Sequence, residues 1–401
     1  MLISVDLNAV YKPGPEGGIF PVMRVLALNC GSSSVKSALI DTAQGRRLQE
    51  IHVEQVGADL PAAVDQLLAA YRKLDASLAP EAVVHRVVHG GEQFREPTRL
   101  DDSVLAEIEQ LNHLAPLHNP PALAAIQHTR ADLPNIPQFA VFDTAFHATL
   151  PDFAREYALP GDVRKRFGIR RFGFHGINHA HVAHSVATHL RADVEKLRII
   201  SCHLGNGASV TAIEGGHSVD TSMGMTPLEG LVMGTRAGDV DPGVLLQLRR
   251  EGHLDADELD DLLNKRSGLK GLAGTNDMRE IERRANAGDK DCILAIAMYV
   301  HRVRKYIGAY AAEMGGVDVI AFTAGVGENN ALIRRRSSER LEFMGVVLDA
   351  ASNDALKLSS DHPIATFSAA GSRVRLFAVR ADEELSMALA TAAALGVSAT
   401  S

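Results

Sequence analysis

Three apolar runs in the chain share one grammar. Residues 24–41 read RVLALNCGSSSVKSALID, residues 198–213 read RIISCHLGNGASVTAI, and residues 319–329 read VIAFTAGVGEN. Each opens as an apolar strand and meets a turn built from Gly, Ser or Asn. In the first two a second apolar strand follows, which predicts one strand–loop–strand hairpin used twice. In the third the turn runs into ALIR, which suits a passage from strand to helix. Apolar positions recurring every three and four residues predict helices over 102–111, 119–130, 179–195, 255–264, 291–314 and 382–395. The last is Ala-rich with acids in its first turn and reads as a closing helix. Two halves, each opened by the same hairpin, predict a duplicated α/β protein with a cleft between its domains.

Composition narrows the class. The 401 residues make about 2.7 nominal domains, and 46% hydrophobic with 22% charged residues excludes a disordered, collagen-like or coiled-coil chain. Net charge is 41 − 49 = −8, so the broad positive field of a nucleic-acid binder is missing and anionic substrates must be caught by local Arg or Lys. Trp is absent and aromatics are 5%, which disfavours stacking platforms for single strands. Cys30, Cys202 and Cys292 stand far apart, with no disulfide framework, and fit a reducing cytoplasm. The apolar run over 293–300 stops at His301, too short to span a bilayer. Residues 1–22 have no basic start or long apolar stretch and read as a flexible N-terminal extension, not a secretory signal.

The glycine-rich turns carry the candidate chemistry. GSSSVKS, residues 31–37, nearly matches a P-loop, but Val35 replaces its second Gly and a strand follows where a helix should open. Such a turn still offers phosphate the Ser32 and Ser34 hydroxyls, backbone N–H groups and the Lys36 ammonium. In HLGNG (His203, Leu204, Gly205, Asn206, Gly207) two glycines let backbone approach an anion without a side-chain clash. GVGEN (Gly325, Val326, Gly327, Glu328, Asn329) suits a strand–helix turn around a nucleotide. Arg86 in HRVVHGG and Arg236 in MGTRAGDVDPG have the fork that grips carboxylate or phosphate, although either alone reads by default as half of a surface ion pair. Asp143 follows the strand FAVF, as a cleft-lining carboxylate or as a helix N-cap. HGINHAHVAH raises the question of zinc, but the glutamate of HExxH is missing and Gly176 weakens a helix there. His175 reads better as a single polar group in a dry pocket. No GxSxG elbow is present.

Nine motifs in order (LNCGSSSVK, HRVVHGG, LAPLHNPP, VFDTAFH, RRFGFHG, HLGNGAS, MGTRAGDVDPG, GVGEN and ADEEL) resemble the acetate kinase family from Met23 almost to the C-terminus. The resemblance implies two duplicated ribonuclease-H-like (actin-like ATPase) domains in a homodimer. They would be an N-terminal domain over 23–145, closed by a C-terminal helix 381–398, and a nucleotide-binding and dimerising domain over 146–380. It further implies Mg²⁺ (or Mn²⁺) held with help from Asn29 and Glu383. ATP or ADP would be surrounded by Lys36, His203 to Gly207, Asp277, Met278, Arg279 and Gly325 to Asn329. Arg86 and Arg236 would hold the acetate carboxylate and the passing phosphoryl group, Asp143 would be the essential carboxylate, and His175 would stand beside the transition state. His118 would be the second pocket histidine, and Val88, Leu117, Phe174 and Pro227 would form a small apolar pocket. Val88 weighs towards acetate over propionate.

The activity implied is reversible, direct in-line transfer from ATP to acetate, giving acetyl phosphate and ADP. Transfer between two anions needs positive charge and alignment more than covalent help, which fits these residue types. Departures from the family pattern are Ile177-Asn178 for a Thr-Ser pair, Ala237 for Ser, and a shortened stretch over 271–279. The alternatives are a propionate or butyrate kinase of the same fold and a non-catalytic ATP-binding switch. Partners are the small substrates, with no nucleic acid and no membrane.

Overall fold

A strand apolar on both faces must be covered on both, and β1 (Arg24–Cys30) is such a strand. Its side chains alternate between two layers. Leu26 and Leu28 pack with Val64, Leu67 and Leu68 of the helix Leu60–Tyr71. Val25 and Ala27 pack with Met387 and Ala388 of the helix Glu383–Ala399. Each leucine so buried contributes about 1.5–3 kcal/mol. β2 (Ser34–Asp41) returns antiparallel to β1 with Lys36 opposite Asn29, and β3 (Arg46–Glu54) continues the meander. β4 (Ala82–Val87) and β6 (Gln138–Phe142) run parallel to β1, and the short β5 (Thr98–Arg99) closes the edge. The sheet order is β3-β2-β1-β4-β6-β5.

The computed structural model describes residues 23–30, 34–54, 60–73, 75, 78–116 and 118–399. The extension over 1–22, Ser32 and Leu117 lie outside the described residues, as does the side chain of Ser34.

A second sheet repeats the first. β7 (Arg198–Leu204), β8 (Ala208–Glu214) and β9 (His217–Thr221) form an antiparallel meander. β10 (Val319–Thr323) and β12 (Arg375–Val379) run parallel to β7, and β11 (Ile364–Thr366) is the antiparallel edge. The order β11-β12-β10-β7-β8-β9 gives the same succession of meander, two parallel strands and edge. The helix Lys290–Glu313 covers β7 and β8 with residues three and four apart, among them Cys292, Ile296, Tyr299 and Val303. The duplicated α/β architecture is therefore present strand for strand.

Contacts divide the chain into two units: residues 1–148, 176–181 and 382–401, and residues 149–175 and 182–381. The helix expected over 179–195 spans Gly176–Leu190. It stops early because Arg191 adopts a left-handed conformation, φ 51°, that caps the last turn. It starts early because Gly176 fits where another residue does not. Its N–H donates to Asp143 O at 2.9 Å, and a Cβ there would stand 2.2 Å from that oxygen. Gly176→Ala should therefore cost about 1–3 kcal/mol, read as a lower urea midpoint of unfolding. GVGEN is itself a short helix, Ala324–Asn329, followed by a second, Ala331–Ser338. Among the described residues no helix is long and apolar enough to cross a membrane.

Candidate active site

Three adjacent parallel strands of the first unit end on polar residues. β1 ends near Asn29, β4 carries Arg86 one residue before its end, and Asp143 follows β6. The C-terminal ends of parallel strands are where α/β sheets place ligands. Arg86 Nε donates to Asp143 Oδ1 at 3.0 Å and Nη2 to Oδ2 at 2.5 Å, a bidentate fork. Arg86 Nη1 donates to Asn29 Oδ1 at 3.2 Å and stands 3.6 Å from Glu383 Oε2. Asn29 Nδ2 in turn donates to Glu383 Oε2 at 2.9 Å. Asp143 is 1% exposed, so this is no surface ion pair, and the carboxylate left open as a helix N-cap is held through both oxygens by Arg86. Burial works to lower the pKa of the Arg86 guanidinium, but the nearby carboxylates of Asp143 and Glu383 outweigh it and hold that pKa above its ordinary value.

Glu383 opens its helix between two other acids. Asp382 and Glu384 both accept from Arg47 Nη2 of β3, at 2.5 and 3.2 Å. That clamp ties down the flanking acids and leaves Glu383 to the Asn29–Arg86 group. Sequence reasoning missed Arg47, whose only sequence mark is an alternating strand position. Asn29 and Glu383 bring oxygen donors, the set a hard divalent cation takes. Among the described residues no three His, Cys, Asp or Glu cluster as a metal cage, so zinc on the histidine run has no such group to rest on. Two protein oxygens suit an ion such as Mg²⁺ that keeps most of its shell as water and phosphate.

Elsewhere in this unit Lys36 is exposed on β2, and Val88 is half-buried just beyond β4. His118, half-buried, caps the helix Asn119–Asp132. Fully buried Asn119 ties that helix to the Val88 segment, accepting from His89 N at 3.1 Å and donating to His89 O at 3.0 Å.

In the second unit the β7–β8 turn is the centre. His203 and Leu204 are buried at the end of β7, and Gly205 to Gly207 make the turn, with Gly205 N donating to Gly207 O at 3.0 Å. A cavity of about 590 Å³ brings together Gly205, Asn206, Asp277, Met278, Arg279, Gly325, Val326 and Asn329. Its wall also includes Gly234, Leu269, Asn276 and Asn330, which the sequence did not single out. Gly234 is needed for its size: a Cβ there would lie 2.0 Å from Asn206 Oδ1. Asp277 caps the helix Met278–Asn286 and pairs with exposed Arg279 at 2.8 Å. Gly327 and Glu328 are turned into the fold, their carbonyls accepting from buried Arg334 at 3.0 and 2.7 Å.

His175 and Arg236 flank the other side of the same turn. A Cβ on Gly207 would lie 3.4 Å from His175 Nε2 and 3.5 Å from Arg236 Nη1, which places both groups in contact range of the turn. His175 has φ 57°, stacks on the His203 ring at 3.9 Å, and bonds Ser209 Oγ through Nδ1 at 2.9 Å. Arg236 Nη1 donates to Pro227 O at 3.1 Å. No ion pair with a carboxylate is found for Arg236 among the described residues, and burial lowers its pKa below the ordinary value. Phe174 is buried and Pro227 half-buried in this unit. A second Arg-based clamp fixes the Pro227 segment. Arg171 donates to Thr221 O and Met223 O at 3.1 and 3.0 Å and pairs with Glu229 at 2.7 Å. The arrangement offers an unneutralised guanidinium, an imidazole edge and glycine backbone at one turn, the requirements of an oxyanion or phosphoryl site.

The chain is similar to known proteins in sequence and fold. The chain is 48% identical over 398 residues to acetate kinase of Streptomyces coelicolor, covering 92% of this chain and 96% of that one. The crystal structure of Porphyromonas gingivalis acetate kinase superposes with a TM-score of 0.83 at 40% identity, covering 91% of this chain and 98% of that one. A propionate kinase from Francisella tularensis also gives 0.83, at 36% identity and 92% and 98% coverage. A match to the acetokinase family spans residues 57–389. The chain belongs to the acetokinase family.

Proposed function

We propose that this chain catalyses reversible, Mg²⁺-dependent phosphoryl transfer from ATP to acetate, giving acetyl phosphate and ADP. The observation that carries the reading is Arg236, a half-buried guanidinium with no carboxylate partner found among the described residues, set beside the glycine turn and His175. A cation left unneutralised in that setting is preorganised for an anion.

Arg236 donates to the charge that develops on the transferring phosphoryl group. Arg86, its plane fixed through Nε and Nη2 by Asp143, meets the acetate carboxylate through the remaining N–H groups of the guanidinium, and Asp143 serves this step by holding that plane in one orientation. His175, fixed by Ser209 and His203, presents its Nε2 edge beside the phosphoryl position. The backbone of His203 to Gly207 cradles phosphates, and by resemblance to the family Lys36, Ser32 and Ser34 are assigned to the nucleotide. Asp277 to Arg279 and Gly325 to Asn329 surround the nucleoside. By resemblance to the family, Val88, Leu117, His118, Phe174 and Pro227 are the residues assigned to the methyl group. Asn29 and Glu383 would hold Mg²⁺, which when bound offsets phosphate charge. Transfer is direct and in line, so no residue of the chain carries the phosphoryl group. We also propose a cytoplasmic homodimer.

The likeness to a propionate kinase favours, as a second reading, the same chemistry on a three-carbon acid. Release of ADP, measured by a coupled assay with acetate, propionate and butyrate, separates the two. Acetate should give the highest turnover, and omission of Mg²⁺ should abolish it. Preference for propionate would transfer the assignment to the second reading. ADP release that no acid stimulates would leave an ATP-binding switch.

A further inference from the structure

The loop that carries Arg236 is tied at both ends to one long helix. Gly230 and Asp239 close the loop on itself: Asp239 N donates to Gly230 O at 3.0 Å, and Gly230 N donates to Asp239 Oδ1 at 2.8 Å. The helix Lys290–Glu313 grips both ends. Arg302 Nη1 donates to Gly230 O at 2.7 Å and pairs with Asp239 Oδ2 at 3.1 Å, while Nη2 reaches Asp239 O at 3.3 Å. One turn on, Tyr306 Oη stands 3.1 and 3.0 Å from the two carboxylate oxygens of Asp239. Inside the loop, Gly238 (φ 71°) would place a Cβ 2.2 Å from Leu231 O, so the backbone is close-packed with no room to shift.

Arg236 itself has little to hold its head: Pro227 O at 3.1 Å, and Met233 Sδ at 3.9 Å. Its position is therefore set by the backbone beneath it. We propose that Asp239, Arg302 and Tyr306 are positioning residues that fix the Arg236 guanidinium for phosphoryl transfer, an inference that rests on the role given to Arg236 above. A misplacement of about 1 Å at such a group costs about 10²-fold in rate, so a bracket that prevents it is visible in turnover.

The test is a double-mutant cycle with Tyr306→Phe, which removes one hydroxyl, and Arg236→Ala, followed by kcat, KM for each substrate and urea unfolding. Tyr306→Phe should lower kcat about tenfold, leave the KM for ATP within about twofold, and keep the unfolding midpoint. In the Arg236→Ala background it should cost nothing further, because the group it positions is gone. Arg302→Lys should retain more turnover than Arg302→Met, since it keeps the charge opposite Asp239. An unchanged kcat in Tyr306→Phe beside a severe loss in Arg236→Ala overturns the bracket alone. So does an equal tenfold loss in both backgrounds, or a loss that tracks a lowered unfolding midpoint. Near-normal turnover in Arg236→Ala would instead remove the role of Arg236, and the bracket with it.

Discussion

Arg236→Ala is expected to lose on the order of 10²–10³ in turnover while remaining at least as stable as the parent protein. The two halves of that statement have one cause. A half-buried guanidinium with no carboxylate partner found among the described residues costs the folded state some desolvation, and the same desolvation lowers its pKa. The loop does not need the side chain to fold. Its backbone is held by Met233 N to Arg236 O at 3.1 Å, Ala237 N to Leu263 O at 3.0 Å and Ser267 N to Thr235 O at 3.1 Å, none of which involves the guanidinium. Removing it deletes the donor proposed for the developing charge and relieves a partly desolvated cation. Coupled ADP release and urea unfolding of the purified variant check both halves. Near-normal turnover with the fold intact counts against the assignment, and a lowered unfolding midpoint against the argument from desolvation.

The two hairpins were legible because apolar runs and glycine turns are local signals, and the repeat of the hairpin was enough to announce two sheets. The partnership of Arg86 with Asp143 was not. The residues are 57 positions apart and meet because β4 and β6 are neighbours, a register that no local pattern encodes. Arg47 was invisible for a stronger reason: its acids lie 335 and 337 residues away, on the helix that closes the sheet. The early start of the helix at Gly176 was hidden because propensity argues against glycine there, while close approach to Asp143 O demands it. Gly234 and Asn276 went unmarked since their part in the cavity comes from packing against Asn206. The roles given to individual residues came from resemblance. What geometry adds is contrast: one arginine is fully answered by acids, and the other is answered by none found among the described residues.

That contrast makes Arg86→Ala a different experiment from Arg236→Ala. It should lose a similar 10²–10³ in turnover, but it should also unfold far more easily, by about 3–5 kcal/mol, because Asp143 is 1% exposed and would keep a buried carboxylate with no cation. Pairing the change with Asp143→Ala should restore most of the lost stability at neutral pH and none of the activity, since the buried charge leaves with its partner while the Arg86 guanidinium stays absent. Urea unfolding of the single and double variants at pH 7, beside the coupled assay, reads both outcomes. If Arg86→Ala unfolds at the parental urea concentration at pH 7, the Arg86–Asp143 pair is not the buried, mutually dependent unit that its geometry describes.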